Sequence, residues 1–308
     1  EIDRRVADDR YLSLAVTHCL SVDGTLCRYR HESTHSTSPP SAGRESPVRW
    51  VSGVRVRLWD ISGRRASLID MTQTHPEVDL KSDLTDDVAL VTGATRGIGA
   101  EIAAGLAELG ATVYAGARDP ADVTAADQRA VELDVTDDEQ IRAAVDRIER
   151  EQGSLDVLVN NAGIFPRSGP LHEMDDADFD RTMAVNLRGP VLLTKEALPL
   201  LLDGPGGRVI SMSSGLGQFT KGQMEGGYPP YRLSKVGLGG LTAYLNGEYG
   251  EQGLVANAVS PGWVRTDMGG DGAPRPPSKG AETPVWLARF AQGSPGGLLW
   301  KDRERIPW

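Results

Sequence analysis

Val88-Ala89-Leu90-Val91 is a continuous apolar run that leads without a break into Thr92-Gly93-Ala94-Thr95-Arg96-Gly97-Ile98-Gly99. A short apolar run bounded by glycine is the pattern of a strand buried on both faces, as in a parallel sheet covered by helices. Ala100 to Leu109 is rich in Ala, Leu and Glu and stops at Gly110, as a helix does. Strand, glycine turn and helix in immediate succession narrow what the chain can become. The glycines let the backbone turn tightly and approach a pyrophosphate, and the helix N-terminus supplies N–H groups and a favourable dipole. A plain strand-to-helix turn is the bland alternative; the flanking elements favour a dinucleotide site. The spacing Gly-x-x-x-Gly-x-Gly is not that of the commoner Gly-x-Gly-x-x-Gly fingerprint.

The alternation continues to the end of the chain. Strands are expected at Thr112 to Ala115, Val131 to Leu133, Leu155 to Val159, Arg208 to Met212 and Leu254 to Val259, with a last edge strand at Gly297 to Trp300. Between them the spacing predicts helices over Asp137 to Glu151, Asp176 to Leu202 (interrupted near Gly189-Pro190), Tyr231 to about Tyr249, and Ala281 to Phe290. Such alternation requires a doubly wound parallel sheet, with function at the carboxyl ends of its strands. A Gly/Pro-rich loop is expected at 215–230.

Residues 1–70 carry no sustained period. They read as an N-terminal extension, with a Ser/Thr/Pro-rich loop from His31 to Pro47 and an unpaired strand from Val51 to Trp59. Met71 is the expected natural start, making 1–70 upstream sequence, with an accessory extension as the alternative. Residues 71–85 read as a polar leader and 86–308 as the folded domain. The net charge of −10 argues against nucleic acid or an anionic membrane as partner. Lys numbers 6 against 27 Arg, and Asp 26 against Glu 17, which fits either a halophilic surface or a GC-rich genome choosing Arg. No run is long enough to span a bilayer. The two cysteines, Cys19 and Cys27, exclude a disulfide framework, and a cytoplasmic protein is the simplest reading. His172 is the sole histidine between 76 and 308, so neither a histidine triad nor a metal site is expected there.

Of seven tyrosines, only Tyr231 has a lysine four residues on, Lys235. On a helix the two share a face, one turn apart. An ammonium held there favours the phenolate and draws the phenol pKa down from roughly 10 toward neutrality, as general acid–base chemistry requires. Alone, the pair is more often exposed helix decoration.

Thr92-Gly93-x-x-x-Gly97-Ile98-Gly99, Asn160-Asn161-Ala162-Gly163, Ser214, Tyr231-x-x-x-Lys235 and Pro261-Gly262 occur in the order found in short-chain dehydrogenases/reductases. Residues 86–308 resemble that family, which implies a Rossmann-type fold. Pro261-Gly262-Trp263-Val264-Arg265-Thr266-Asp267-Met268, the stretch Gly280 to Ala288 and the terminal Ile306-Pro307-Trp308 are similar to its carbonyl-reductase-like branch. The resemblance implies that Tyr231 is the acid that protonates a carbonyl oxygen, and that Lys235 binds the nicotinamide ribose and holds the Tyr231 pKa down. It implies that Ser214 steadies the substrate oxygen and that Asn186 holds a proton-relay water. The turn at Gly93, Thr95, Arg96, Gly97, Ile98 and Gly99 is then the pyrophosphate cradle. Asp134-Val135 resembles the adenine-contacting pair, and Asn161, Ala162 and Gly163 line the adenosine ribose side. Pro261, Gly262, Val264 and Thr266 lie on the nicotinamide side. Ser214 and Tyr231 lie 17 apart, more than in many shorter members, so the intervening segment reads as a lengthened substrate loop.

Cofactor choice turns on the end of the second strand, where a carboxylate selects NAD and an arginine a 2′-phosphate. That position reads Ala117 followed by Arg118, with Arg96 as a second positive charge; Asp119-Pro120 reads as a helix N-cap. NADP(H) is therefore expected over NAD(H). The reading is an NADP(H)-dependent oxidoreductase acting on a small-molecule carbonyl or alcohol, either a monomer or a homo-oligomer. The alternatives are a non-catalytic dinucleotide-binding redox sensor, or an epimerase or dehydratase on the same fold. Arg265 and Asp267 are expected to be surface or ion-pairing residues, and Glu173 to Asp180 a solvated helix start.

Overall fold

In the computed structural model of the protein, which describes residues 78–204, 206–219 and 224–308, the run at 88 is strand β1 (Val88–Thr92), buried at every position. Successive strand side chains point to opposite faces. Val88 and Leu90 accordingly join one hydrophobic cluster, and Ala89 and Val91 the other. Helices α1 (Gly97–Glu108) and α6 (Pro277–Ala288) cover the second face through Ile102, Leu106 and Leu287. The first face is covered by α2 (Asp138–Gln152), α4 (Gly189–Asp203) and α5 (Pro229–Tyr249), through Ile148, Leu193 and Leu245.

The remaining strands are β2 (Thr112–Ala117), β3 (Gln128–Glu132), β4 (Val157–Asn160), β5 (Arg208–Met212), β6 (Val255–Val259), β7 (Leu298–Lys301) and β8 (Glu304–Ile306). They lie in the order β3-β2-β1-β4-β5-β6-β7-β8. Every pairing through β7 is parallel, and β8 returns antiparallel against β7. The chain runs outward from β1 to β3, then comes back to lay β4 on the other side of β1. This is the doubly wound fold expected, with its crevice between the carboxyl ends of β1 and β4.

Several boundaries differ from expectation, each for a local reason. Strand β3 begins at Gln128 rather than Val131, because as an edge strand it buries Val131 alone and shows no alternation. Charged β8 carries no apolar pattern either. Helices α5 and α6 start earlier than expected, at Pro229 and Pro277, since proline suits a first helical turn. The long helix from Asp176 breaks at a π turn, Ala184–Arg188, separating α3 (Asp176–Met183) from α4. There the Gly189 N–H reaches back to the Ala184 carbonyl, and Pro190 has no N–H to offer Asn186. Asp175 caps α3, accepting from Ala177 N at 2.8 Å, so the acidic run is the helix start expected of it.

The leader is not purely polar: Leu84 is fully buried in the β1 cluster, and Lys81 N donates to the Arg289 carbonyl at 2.7 Å. The expectations for 1–70 and the start at Met71 lie outside the described residues. No described helix is long and apolar enough to cross a membrane.

At the amino ends of β1 and β5, opposite the crevice, the buried Asp87 carboxylate accepts from both Arg208 and Lys81. The Arg208 guanidinium also donates to the Gly206 carbonyl at 3.0 Å. Removing one member of a buried pair leaves the other charge uncompensated, at a cost of about 3–5 kcal/mol. Asp87→Ala should therefore lower the unfolding free energy by that amount, seen in equilibrium unfolding as a lower urea midpoint at unchanged m-value. A loss under about 1 kcal/mol would mean Arg208 is hydrated in solution.

Candidate active site

The crevice is tied together by one hydroxyl and one carboxamide. Thr92 Oγ1, at the end of β1, accepts from Asn161 N and Ala162 N, each at 2.9 Å. Asn161 Nδ2 returns to the Thr92 carbonyl at 2.8 Å and the Gly93 carbonyl at 3.2 Å. The glycine turn is thus fastened to the end of β4. Gly93 and Gly97 take φ of +64° and +57°, a region costly for residues with a Cβ. A Cβ on Gly99 would lie 2.2 Å from the Gly93 carbonyl oxygen. Thr95, Arg96 and Ile98 complete the turn. No side chain caps α1, whereas Asp137 caps α2, accepting from Glu139 N at 2.8 Å. A helix start left without a side-chain acceptor, behind glycines that keep the approach open, suits an external phosphate.

Across the crevice, Ser214, Tyr231, Lys235 and Asn186 come together. Ser214 follows β5, its Oγ accepting from Leu216 N at 3.1 Å. Tyr231 and Lys235 lie in the first turns of α5, both buried, and the Ser214 side chain is near enough to the Tyr231 phenol to lower its pKa. Lys235 Nζ donates to the Met212 carbonyl at 2.7 Å and sits over the Tyr231 ring, 5.4 Å from its centroid. Asn186, fully buried, lies in the π turn. It grips Ile164 from both sides, accepting from its N–H at 2.8 Å and donating to its carbonyl at 2.9 Å. A Cβ on Gly163 would lie in ordinary contact with Asn186 Oδ1 at 3.4 Å and Lys235 Nζ at 3.8 Å, so Gly163 adjoins both.

The electrostatics correct one expectation. Burial pushes the Tyr231 phenol above its ordinary pKa, and the neighbouring Ser214 side chain opposes the rise without cancelling it. Burial also depresses Lys235 to about 8. In the chain itself the ammonium does not draw the phenol toward neutrality, because Nζ is engaged by the Met212 carbonyl and faces the ring rather than the hydroxyl.

Around the crevice, Ala117 is buried at the end of β2 and Arg118 is exposed. Asp119 turns its carboxylate back to cap the short Pro120–Asp122 turn, accepting from Ala121 N at 2.9 Å. Arg96 Nε pairs with Asp267 at 2.8 Å, so Asp267 is an ion-pairing residue. Asp134 accepts from Thr136 N and Oγ1 at 2.9 and 2.7 Å, while Val135 is buried against α4. Pro261 offers its carbonyl to Arg275 Nη1 at 2.8 Å, and Gly262 takes φ of +79°. Val264 is buried, and the Thr266 methyl lies 3.1 Å from where a Cβ on Gly97 would be. These residues form the opposite rim of the glycine turn.

Two ring residues escape a reading by motif. Phe165 packs between Tyr231, at 4.5 Å between centroids, and Tyr228, at 5.0 Å. Tyr228 holds a left-handed φ of +54° just before α5. Phe165 follows Asn160-Asn161-Ala162-Gly163 closely and Tyr228 precedes a double proline, which are the signals that could have marked them.

A sequence profile of the short chain dehydrogenase family matches residues 87–275, from β1 through the rim after β6. The chain belongs to the short-chain dehydrogenase/reductase family. Over 193 residues it is 37% identical to the oxidoreductase UcpA of Escherichia coli (strain K12), covering 60% of this chain and 72% of that protein. Over 189 residues it is 39% identical to a cis-4-hydroxycyclohexanecarboxylate dehydrogenase of Sinomonas cyclohexanicum, covering 59% and 74%. Among solved structures, a short chain dehydrogenase from Burkholderia cenocepacia J2315 in complex with NADP superposes with a TM-score of 0.63 at 32% identity, covering 71% of this chain and 97% of that one. As a member of this family the chain is an oxidoreductase that works with a nicotinamide dinucleotide on a small molecule. The uncapped α1 and the glycines a Cβ would fill fit such a cofactor.

The depressed Lys235 pKa sets a pH dependence. The folded chain binds this proton less tightly than the unfolded chain does. The burial penalty is therefore in full force below pH about 8 and is relieved as pH rises from there toward the ordinary lysine value of about 10.4. Urea unfolding of wild type and Lys235→Met at pH values from about 7 to 10 should show the difference moving in favour of wild type above pH about 8. A difference flat with pH would mean a solvated ammonium.

Proposed function

We propose that residues 86–308 form an NADP(H)-dependent carbonyl reductase of the carbonyl-reductase-like branch, with Ser214, Tyr231, Lys235 and Asn186 as its working groups. The observation that carries this reading is the convergence, at the carboxyl end of β5, of Ser214 with the buried Tyr231 phenol and the buried Lys235 amine that lies over its ring. When bound, the cofactor supplies or takes the hydride at the carbonyl carbon. Ser214 donates a hydrogen bond to the substrate oxygen and stabilises charge developing there. Tyr231 delivers the proton that turns that oxygen into a hydroxyl. A phenol whose pKa lies above its ordinary value stays in the acid form at neutral pH, which suits the reducing direction. Lys235 holds the nicotinamide ribose, and Asn186, braced on Ile164, supports the path by which Tyr231 is reprotonated. Phe165 and Tyr228 give the substrate an aromatic flank.

For the cofactor, Gly93 to Gly99 cradle the pyrophosphate. Asp134 and Val135 meet the adenine, and Asn161 to Gly163 the ribose. Pro261, Gly262, Val264 and Thr266 meet the nicotinamide. Arg118 supports NADP(H), as does Asp119, whose carboxylate is bound to its own turn rather than offered to a 2′-hydroxyl. Arg96 can add charge only in competition with Asp267. The sparse cysteines, both within the first thirty residues, are in keeping with a cytoplasmic setting.

An NADPH-oxidation screen over aldehydes, ketones and quinones tests the reading, with Tyr231→Phe as control. Tyr231→Phe should lower kcat by about 10²–10⁴-fold. Calorimetric NADPH binding without turnover on any member would favour the redox-sensor alternative. Arg118→Ala should lower kcat/KM for NADPH by at least about tenfold and leave that for NADH unchanged, a loss of one charge-assisted phosphate contact. Equal wild-type efficiency with NADH would reject the preference.

A further inference from the structure

The residue after Tyr231 is a buried arginine that none of the roles above employs. The Arg232 side chain is 7% exposed, a rare state for a guanidinium. It is satisfied almost wholly by backbone. Nη1 donates to the Leu216 carbonyl at 3.1 Å, Nε to the Gly227 carbonyl at 2.9 Å, and Nη2 to the Gly226 carbonyl at 3.1 Å. Its ion pair, with Glu225 at 3.4 Å, reaches a carboxylate that is 86% exposed and screened by solvent.

The carbonyls belong to two different parts of the site. Leu216 lies in the turn after Ser214, and its own N–H donates to the Ser214 hydroxyl. Gly226 and Gly227 immediately precede Tyr228, whose left-handed backbone opens α5 and whose ring packs on Phe165. That segment is the one lengthened between Ser214 and Tyr231. The rest of the turn is seated on α5 independently: a Cβ on Gly217 would lie 2.8 Å from Lys235 Cβ, and Ser213 Oγ donates to the Lys235 carbonyl at 3.2 Å. Three rigid, planar donors directed at three carbonyls make a fixed fork.

We propose that Arg232 is a positioning residue that clamps the Ser214 turn to the start of α5, and so sets the Ser214-to-Tyr231 geometry and the substrate wall at Tyr228. The inference rests on the reading of Ser214 and Tyr231 as working groups. A lysine's compact ammonium lacks the planar fork that spans all three carbonyls, and a methionine donates to none.

The test compares full-chain wild type, Arg232→Lys, Arg232→Met and Tyr231→Phe. Substrate kinetics use the carbonyl that wild type turns over fastest in the NADPH screen. Arg232→Met should lose at least about tenfold in kcat, with 10²-fold the scale of a misplacement near 1 Å. Its Kd for NADPH should stay within about twofold, and Arg232→Lys should recover part of the loss. Hydrogen exchange, which needs no substrate, should quicken in Arg232→Met at 214–219 and 224–230 and nowhere else among the helices and strands. Wild-type kcat or unchanged exchange in Arg232→Met overturns the inference, as does a parallel collapse of NADPH binding. Failure of the catalytic reading is seen separately: Tyr231→Phe would then retain full turnover, or wild type would reduce nothing in the panel.

Discussion

The Thr92 hydroxyl at the end of β1 accepts two backbone N–H groups from the end of β4, and the Asn161 amide answers by holding the carbonyls of Thr92 and Gly93. Few groups are involved, yet the rest of the site depends on them. β1 and β4 are neighbours between which the winding of the sheet reverses, so their carboxyl ends diverge into separate turns. Bonded to each other, the turns form one rim from which the glycine turn and the segment from Ala162 to Phe165 are both hung. Asn186 then grips Ile164, and Phe165 meets Tyr231. Position passes from one strand end to the other through short polar contacts that tolerate little slack.

That rim faces an interior in which charge is costly. Tyr231 and Lys235 are both driven toward their neutral forms by burial. Two neighbours act against this: Ser214 lowers the phenol pKa, and the Met212 carbonyl accepts from the amine. The site is therefore not a ready-made ion pair. Two polar heads are held side by side at raised free energy, a setting in which a bound partner with its own charge has a large effect on both.

The sequence made the parallel sheet legible because buried strands such as Val88 to Val91 and Arg208 to Met212 are unbroken apolar or nearly apolar runs between turn residues. Ser214, Tyr231 and Lys235 were legible through spacing and order. What was hidden lay where the signal is a contact rather than a pattern. Edge strands β3 and β8 bury too few side chains to alternate. The π turn at Ala184–Arg188 leaves no periodic mark beyond Pro190, though it turns Asn186 inward. Phe165 and Tyr228 resemble any aromatic in a loop until Phe165 is seen packed between the Tyr228 and Tyr231 rings. The pKa of the phenol was misjudged for the same reason: spacing shows that an amine is near, but not which way it points or how dry its surroundings are.

The far end of the sheet has its own consequence. β8 is three residues long, with Glu304 and Arg305 exposed on it, and at the opposite margin β3 presents exposed Arg129 and Glu132. A foreign strand seeking free main-chain groups would meet charged side chains at both margins, and at β8 a ladder only three residues long. Lateral growth of this sheet into a larger one is thereby discouraged.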